Sequence, residues 1–178
     1  MTRDAELRRV YGDHINAVFA FFASCVERHT AEDLAASTFE RVIRAWDGFD
    51  PRRGSERAWV MTIAHNLLND HYRRGRFRRA ASLDEHPFLA DILTTEEDPM
   101  EKRLQLSELR AWLACLGERD RTAIALRYGA DLTAADIGAV LGLTPSTAHQ
   151  VISRALVRLR REAERSAEPA ASPTGLDT

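Results

Sequence analysis

Residues 131–162 read DLTAADIGAVLGLTPSTAHQVISRALVRLRRE, and this stretch limits the fold more than any other part of the chain. Thr133 stands three residues before Asp136, the spacing of a capping box that starts a helix by satisfying its free N–H groups. Gly142 falls where a helix needs a left-handed residue in order to end. Thr144 then serves as an N-cap and Pro145 as the first helical residue, where its missing N–H costs nothing. Ala148, Ile152, Ala155, Leu156 and Leu159 make the inward stripe of the second helix, with small Ala148 allowing a close crossing. This is the pattern of a helix-turn-helix whose second helix enters a DNA groove. A generic helical hairpin is the rival; the caps, the small crossing residue and the basic end together favour the DNA reader.

The leading face of that second helix is neutral. Ser146, His149, Gln150 and Ser153 point outward near its start, and the first cation is Arg154. Gln can pair with adenine through two hydrogen bonds, and Ser can donate or accept. Arg154, Arg158, Arg160 and Arg161 lie further along, suited to phosphates. Modest affinity with partly shape-based readout follows, so this half reads as one hand of a two-handed grip.

Upstream, apolar residues recur at helical spacing through Leu7, Val10, Tyr11, Ile15, Val18, Phe19, Phe22 and Val26. Thr30, three residues before Asp33, predicts the cap of a second helix carrying Leu34, Thr38, Phe39, Val42, Ile43 and Trp46. GFDPRRGS breaks the pattern before a third helix from about Glu56 to Arg74, with Trp59, Ile63, Leu67 and Leu68 as its stripe. Periodicity lapses over 80–103, where two prolines and clustered acids predict a linker. It returns at Leu104, Leu106, Leu109, Trp112, Leu113 and Leu116, and again from about Arg119 to Tyr128. The fold expected is all-α: two small helical domains, 1–79 and 104–165, joined by an acidic linker, with a flexible tail at 166–178. No run approaches the roughly 20 apolar residues that span a bilayer, and the charged N-terminus is unlike a signal peptide, so a cytoplasmic protein is expected. Cys25 and Cys115 stand alone in apolar patterns and read as buried free thiols.

The formal net charge of −2 hides strong patterning: 51–79 carries +6, 80–103 carries −5 and 154–165 carries +3. The first basic block, ERAWVMTIAHNLLNDHYRRGRFRR, is the more distinctive. Thr62, Asn66, Asn69 and Arg73 share one helix face, and five arginines at 73, 74, 76, 78 and 79 are interleaved with Tyr72 and Phe77. Amides for base edges, aromatics for stacking and a cationic exit suit a single strand with unstacked bases. A surface helix whose basic end answers its dipole is the plainer alternative. His65, Asp70 and His71 could be read as metal ligands, but the two histidines point to different faces and no third strong ligand is evident, so no metal or cofactor is expected.

Two blocks carry a family resemblance: AEDLAASTFERVIRAWDGFDPRRGSERAWVMTIAHNLLNDHYRR and LGERDRTAIALRYGADLTAADIGAVLGLTPSTAHQVISRALVRLR. Together, in this order, they resemble bacterial RNA polymerase sigma factors of the extracytoplasmic-function (ECF) group, over about residues 10–162. The resemblance implies a non-enzymatic initiation subunit that binds core RNA polymerase and promoter DNA and melts the promoter. The first domain would be region two, docking on the β′ clamp helices and opening the minus-ten element. The second would be region four, reading the minus-thirty-five element and touching the β flap. It further implies polymerase contacts at Asp33, Thr38, Arg41, Val42 and Trp46, and minus-ten contacts at Trp59, Thr62, Asn66, Asn69, Tyr72, Arg73 and Arg74. Trp59 serves equally as a core residue. Region-four contacts fall at Ser146, Thr147, His149, Gln150, Ser153, Arg154 and Arg158, and an anti-sigma factor is a further implied partner.

The chain departs from the family pattern at Ala36 and Ser37, where a glutamine and an acid are common, and at His149 and Val151, where cations are common. These departures imply a weaker polymerase interface and a weaker grip on DNA. Two other readings compete: a stand-alone helix-turn-helix regulator that binds duplex tightly without polymerase, and a metal-dependent hydrolase built on His65, Asp70 and His71.

Overall fold

A computed structural model of the chain describes residues 2–81 and 112–167. Most of the expected acidic linker, the helix expected from Leu104 up to residue 111, and the tail after 167 lie outside the described residues. Those described are helical, with no strand among them, in keeping with the all-α expectation. No helix among them is long and apolar enough to cross a membrane.

Helix α1 (Arg3–Ala23) opens with Asp4 and Glu6 in its first turn, where acids answer the exposed N–H groups. It buries Val10, His14, Val18, Phe21 and Phe22. Helix α2 (Arg28–Ala45) buries Ala31, Ala35, Thr38, Phe39 and Val42. It begins two residues before Thr30, because Cys25 and Val26 turn back onto the Phe22 carbonyl and the chain re-enters helix early. Thr30 therefore sits inside the helix with its hydroxyl on Glu27, and the expected Thr30–Asp33 cap is not formed. Two short 3-10 turns, Trp46–Gly48 and Pro51–Arg53, lead to α3 (Glu56–Ala81). Ser55 starts α3: its Oγ accepts from the Ala58 N–H at 3.1 Å. The helix buries Val60, Met61, Ala64, Leu67 and Leu68 and runs past Gly75, beyond the expected end at Arg74. Phe21, Phe22, Met61 and Leu68 are fully buried. Each such side chain stabilises by about 1.5–3 kcal/mol relative to exposure.

The second half begins with a helical turn at 112–114 and α4 (Glu118–Ile124). Arg121 is buried and donates to the carbonyls of Leu113 and Leu116, tying that turn to α4. The expected single helix to Tyr128 instead widens into a π turn at Ala125–Gly129, closed by the Ala130 N–H on the Ala125 carbonyl. Helices α5 (Ala134–Leu141) and α6 (Pro145–Ala167) follow. The Thr133–Asp136 capping box forms, and Gly142 adopts φ 65°. Thr144 Oγ1 accepts from the Thr147 N–H, as expected of the α6 cap. The inward stripe of α6 is Ala148, Val151, Ile152 and Ala155. Leu156, predicted inward, is 39% exposed, because the close crossing turns the helix toward its Val151 side.

The buried residues of both halves form one apolar cluster. Helix α3 packs on α1 and α2 and also on α5, and α1 packs on the π turn. An ion network pins α3 to α1: Arg9 Nη2 lies 2.6 Å from Glu56 Oε2, and His14 Nε2 lies 2.8 Å from Glu56 Oε1. The Arg9 hydrogen bonds hold the Glu56 carboxyl below the usual glutamate range, and the His14 contact adds to them. A carboxyl lowered by folding contributes stability above its unfolded value and loses it as pH falls through its folded value. Glu56→Gln should cost about 1 kcal/mol at pH 7, since part of the pair is screened by water. Chemical denaturation should show the variant and parent converging under acid conditions, once the parent's carboxyl is protonated.

Candidate nucleic-acid interface

The polar face of α3 is only partly open. Asn66, Asn69, Arg73 and Arg74 are exposed, while Thr62 is half-buried with its hydroxyl on the Ala58 carbonyl. Arg73 Nη2 lies 2.7 Å from Asp70 Oδ1, and Arg41 Nη2 lies 3.8 Å from Asp70 Oδ2. Asn69 Nδ2 sits 3.2 Å from His65 Nε2. His65 lies beside the Val140 carbonyl without an aligned hydrogen bond at Nδ1, and burial lowers its affinity for a proton. Among the described residues, no group of three or more His, Cys, Asp or Glu is arranged to hold a metal.

Tyr72 does not offer its ring end to a base as placed. Its hydroxyl donates to the Cys25 carbonyl at 2.9 Å, and burial pushes its ionisation upward. The hydroxyl found a backbone acceptor inside the bundle, so the residue anchors α3 to the end of α1. Trp59 is half-buried in an aromatic cluster, with ring centroids 5.9 Å from Trp46 and 5.2 Å from Phe49. The side chains beyond Gly75 lie outside those described.

Helix α2 divides the predicted polymerase contacts. Asp33 and Arg41 are exposed, with Ala36 exposed and Ser37 half-buried beside them. Thr38 and Val42 are 0% and 1% exposed, which removes them from any surface. Thr38 bonds the Leu34 carbonyl and packs inward at the same helical angle as Ala31, Ala35 and Val42. Trp46 is half-buried, its Nε1 donating to Glu6 at 3.4 Å, and Ile43 is 47% exposed on the same helix.

On α6 the expected outward face is present. Ser146, His149, Gln150, Ser153, Arg154 and Arg158 are all exposed. Thr147 is half-buried, with its Oγ1 2.8 Å from Thr144 Oγ1, and so contributes to the helix start. Arg158 Nη1 pairs with Asp120 Oδ2 at 2.7 Å, which neutralises part of the basic end. Val151 is 5% exposed, so a cation there would be buried rather than on DNA. Only His149 stands on the open face in place of an expected cation.

Sequence reasoning missed a cleft of about 350 Å³ between the 48–55 loop and α5. Phe49, Asp50, Arg53 and Trp59 line one side, and Asp136 and Ala139 the other. Phe49 lies within the Gly48–Gly54 break, which reads locally as a turn, and Trp59 within the stripe of α3, so neither marks a cleft in the sequence. Cys25 is buried as expected, its thiol pushed up to about 12 by burial. Cys115 is exposed instead, at the turn ahead of Gly117.

An amide-and-arginine helix face in one half and a capped helix-turn-helix in the other define a two-part DNA-binding protein. The family patterns agree: Sigma-70 region 2 matches residues 10–78 and Sigma-70 region 4 matches residues 112–161. The chain belongs to the RNA polymerase sigma factors, within the extracytoplasmic-function group. It is 33% identical to the ECF sigma factor ShbA of Streptomyces griseus, over 77% of this chain and 73% of that protein. It is 27% identical to the ECF sigma factor BldN of Streptomyces coelicolor over 86% of this chain, spanning 58% of BldN's own length. The solved structure of CnrH in complex with the cytosolic domain of CnrY matches at TM-score 0.67 and 25% identity, over 92% of this chain and 91% of that one.

The helix-turn-helix depends on one close approach. A Cβ added at Gly138 would meet the Leu143 carbonyl at 2.8 Å, where the turn folds back on α5. Gly138→Ala should therefore destabilise the protein by about 1–3 kcal/mol. Thermal unfolding followed by circular dichroism would show it as a lowered midpoint, and an unchanged midpoint would mean the turn is looser than described.

Proposed function

We propose that this chain is an alternative sigma factor that joins core RNA polymerase, directs it to a small set of promoters and opens the minus-ten element. Catalysis stays with the core, and the chain works in the cytoplasm. The observation that carries the reading is the pairing, in one chain and in the family's order, of two exposed DNA-suited helix faces. Residues 1–79 are the region-two unit and 104–165 the region-four unit, with 80–103 between them.

Within region two, Asn66, Asn69, Arg73 and Arg74 are the residues best placed to hold unstacked minus-ten bases, with Thr62 and Trp59 at the edge of that face. Asp33 and Arg41 on the open side of α2 take the polymerase clamp, with Trp46 at the end of that side. Within region four, Ser146, His149, Gln150 and Ser153 meet base edges, and Arg154 and Arg158 meet phosphates. Each contact is weak by itself. Held together by polymerase, the second binding event becomes intramolecular and the pair becomes strong. The β flap contact and an anti-sigma partner come from the family likeness, and CnrH's complex with CnrY is in keeping with a sequestering partner.

Reconstitution with core polymerase, followed by run-off transcription over a fragmented genome, tests the assignment. Discrete starts that need both components are expected; failure to bind core would overturn it. Tight duplex binding by the chain alone would favour the stand-alone regulator instead. His149→Lys should tighten promoter binding of the holoenzyme and steepen its salt dependence by about one counterion. If neither changes in a salt titration, His149 does not reach the DNA.

A further inference from the structure

The open face of α3 is bordered by a carboxylate that two arginines share. Asp70 stands one turn after Asn66 and one turn before Arg73. Its Oδ1 accepts from Arg73 Nη2 at 2.7 Å, a hydrogen bond within the helix. Its Oδ2 lies 3.8 Å from Arg41 Nη2 on α2, an ion pair too long to be a hydrogen bond. The Asp70 side chain is 29% exposed, against 44% for Arg41 and 66% for Arg73. The carboxylate is the most enclosed of the three groups, and the guanidinium that bonds it is the most open to solvent.

Arg73 is open to a phosphate, but it is not unengaged. A phosphate that takes it must break a charge-assisted hydrogen bond and work against the negative charge beside it. The carboxylate left behind is half-buried, and an enclosed anion without a donor is costly. Arg41 already stands where it can answer that charge. Closing its gap to hydrogen-bond length takes a shift of about 1 Å, which side-chain torsions supply. Its planar fork of N–H donors suits a carboxylate, so the new bond resembles the one lost. The helices need not move, since α2 and α3 are packed together.

We propose that Asp70 is an exchange carboxylate for the minus-ten face: it holds Arg73 in the free chain and turns to Arg41 when Arg73 takes a phosphate of the single strand. Arg41 is then a positioning residue. It touches no nucleotide, yet it lowers the cost of releasing Arg73. The proposal rests on the reading of Arg73 as a minus-ten contact. It also gives Arg41 a role apart from the polymerase clamp, to which the family likeness assigns it. A clamp contact acts on core binding, whereas the exchange acts on the strand and only through Asp70.

Double-mutant cycles test this, measured at saturating core polymerase so that a loss of core affinity is not read as a loss of strand affinity. The probe is a fluorescein-labelled non-template strand spanning the minus-ten region of the strongest start found by run-off mapping. Its binding is followed by anisotropy, with core alone as the blank. Arg41→Ala should weaken strand binding by about threefold, the scale of an exposed ion pair, and Arg41→Lys should recover part of the loss. Asp70→Asn should tighten binding by about the same factor, with a gain that fades as salt is raised. Arg41→Ala combined with Asp70→Asn should show the affinity of Asp70→Asn alone. Arg73→Ala supplies a second cycle that leaves Asp70 intact and decides the matter if Asp70→Asn fails to fold: the loss from Arg41→Ala should vanish there too. An equal loss from Arg41→Ala in every background overturns the proposal, as does no loss in the parent. So does a folded Asp70→Asn variant that binds the strand no more tightly. If the unsubstituted chain does not join core, or no start is found, the sigma assignment has failed and the exchange falls with it, a result distinct from a cycle without coupling.

Discussion

Helix α3 is packed from several sides at once. Helices α1 and α2 take its apolar side through Val60, Met61, Ala64, Leu67 and Leu68, and α5 lies along another, where Ser55 ahead of α3 bonds Asp136 and His65 sits beside Val140. What remains open is a narrow strip of Asn66, Asn69, Arg73 and Arg74. The position of α3 is in turn set by Glu56, which receives Arg9 and His14 from α1, and by Tyr72, which reaches the carbonyl of Cys25. The two pins act near opposite ends of the described face, so its register against the bundle is fixed at both. A rigid face of amides is what a reader of unstacked bases needs, because a base edge is recognised only by groups already in place.

Electrostatics temper the picture drawn from composition. The basic block at 51–79 carries +6, yet Arg57 is spent on a carbonyl and Arg73 on Asp70. Arg158, near the end of the recognition helix, is likewise matched by Asp120. These pairs are exposed enough for phosphate to compete for the guanidinium groups, and exposed pairs are worth little in water. The attraction to DNA is therefore real but weaker than a count of arginines implies. A protein built this way gains promoter affinity by joining two modest contacts through a third body.

The parts of the fold legible in the sequence were those written in short-range chemistry. The Thr133–Asp136 box, left-handed Gly142 and the Thr144–Pro145 start appear as read, because each depends on residues within four positions. The outward set Ser146, His149, Gln150 and Ser153 followed from the same local frame. Thr38, Val42 and Tyr72 were misplaced for a different reason. Thr38 and Val42 follow the apolar period of α2 inward, against the surface role that the family likeness implied, and the Thr38 and Tyr72 hydroxyls are accommodated there by the carbonyls of Leu34 and Cys25. Val151 and Leu156 exchanged places because the crossing of α5 and α6, not the spacing of apolar residues, sets the rotation of the recognition helix.

By itself the sequence determined most of the helices, the caps of the helix-turn-helix, the two basic blocks and the family to which the chain belongs. All of these are properties of neighbours along the chain, repeated in a recognisable order. Tertiary structure alone decided which of those residues are free to act. Ser55 meets Asp136 across 81 positions, Arg57 meets Ala130 across 73, and the cleft beside Trp59 exists only where those two ends of the chain touch. Such contacts depend on how whole helices pack, which no local spacing encodes. They leave Asn66, Asn69, Arg73 and Arg74 open on α3 while Thr62 and Trp59 are half-buried beside the cleft.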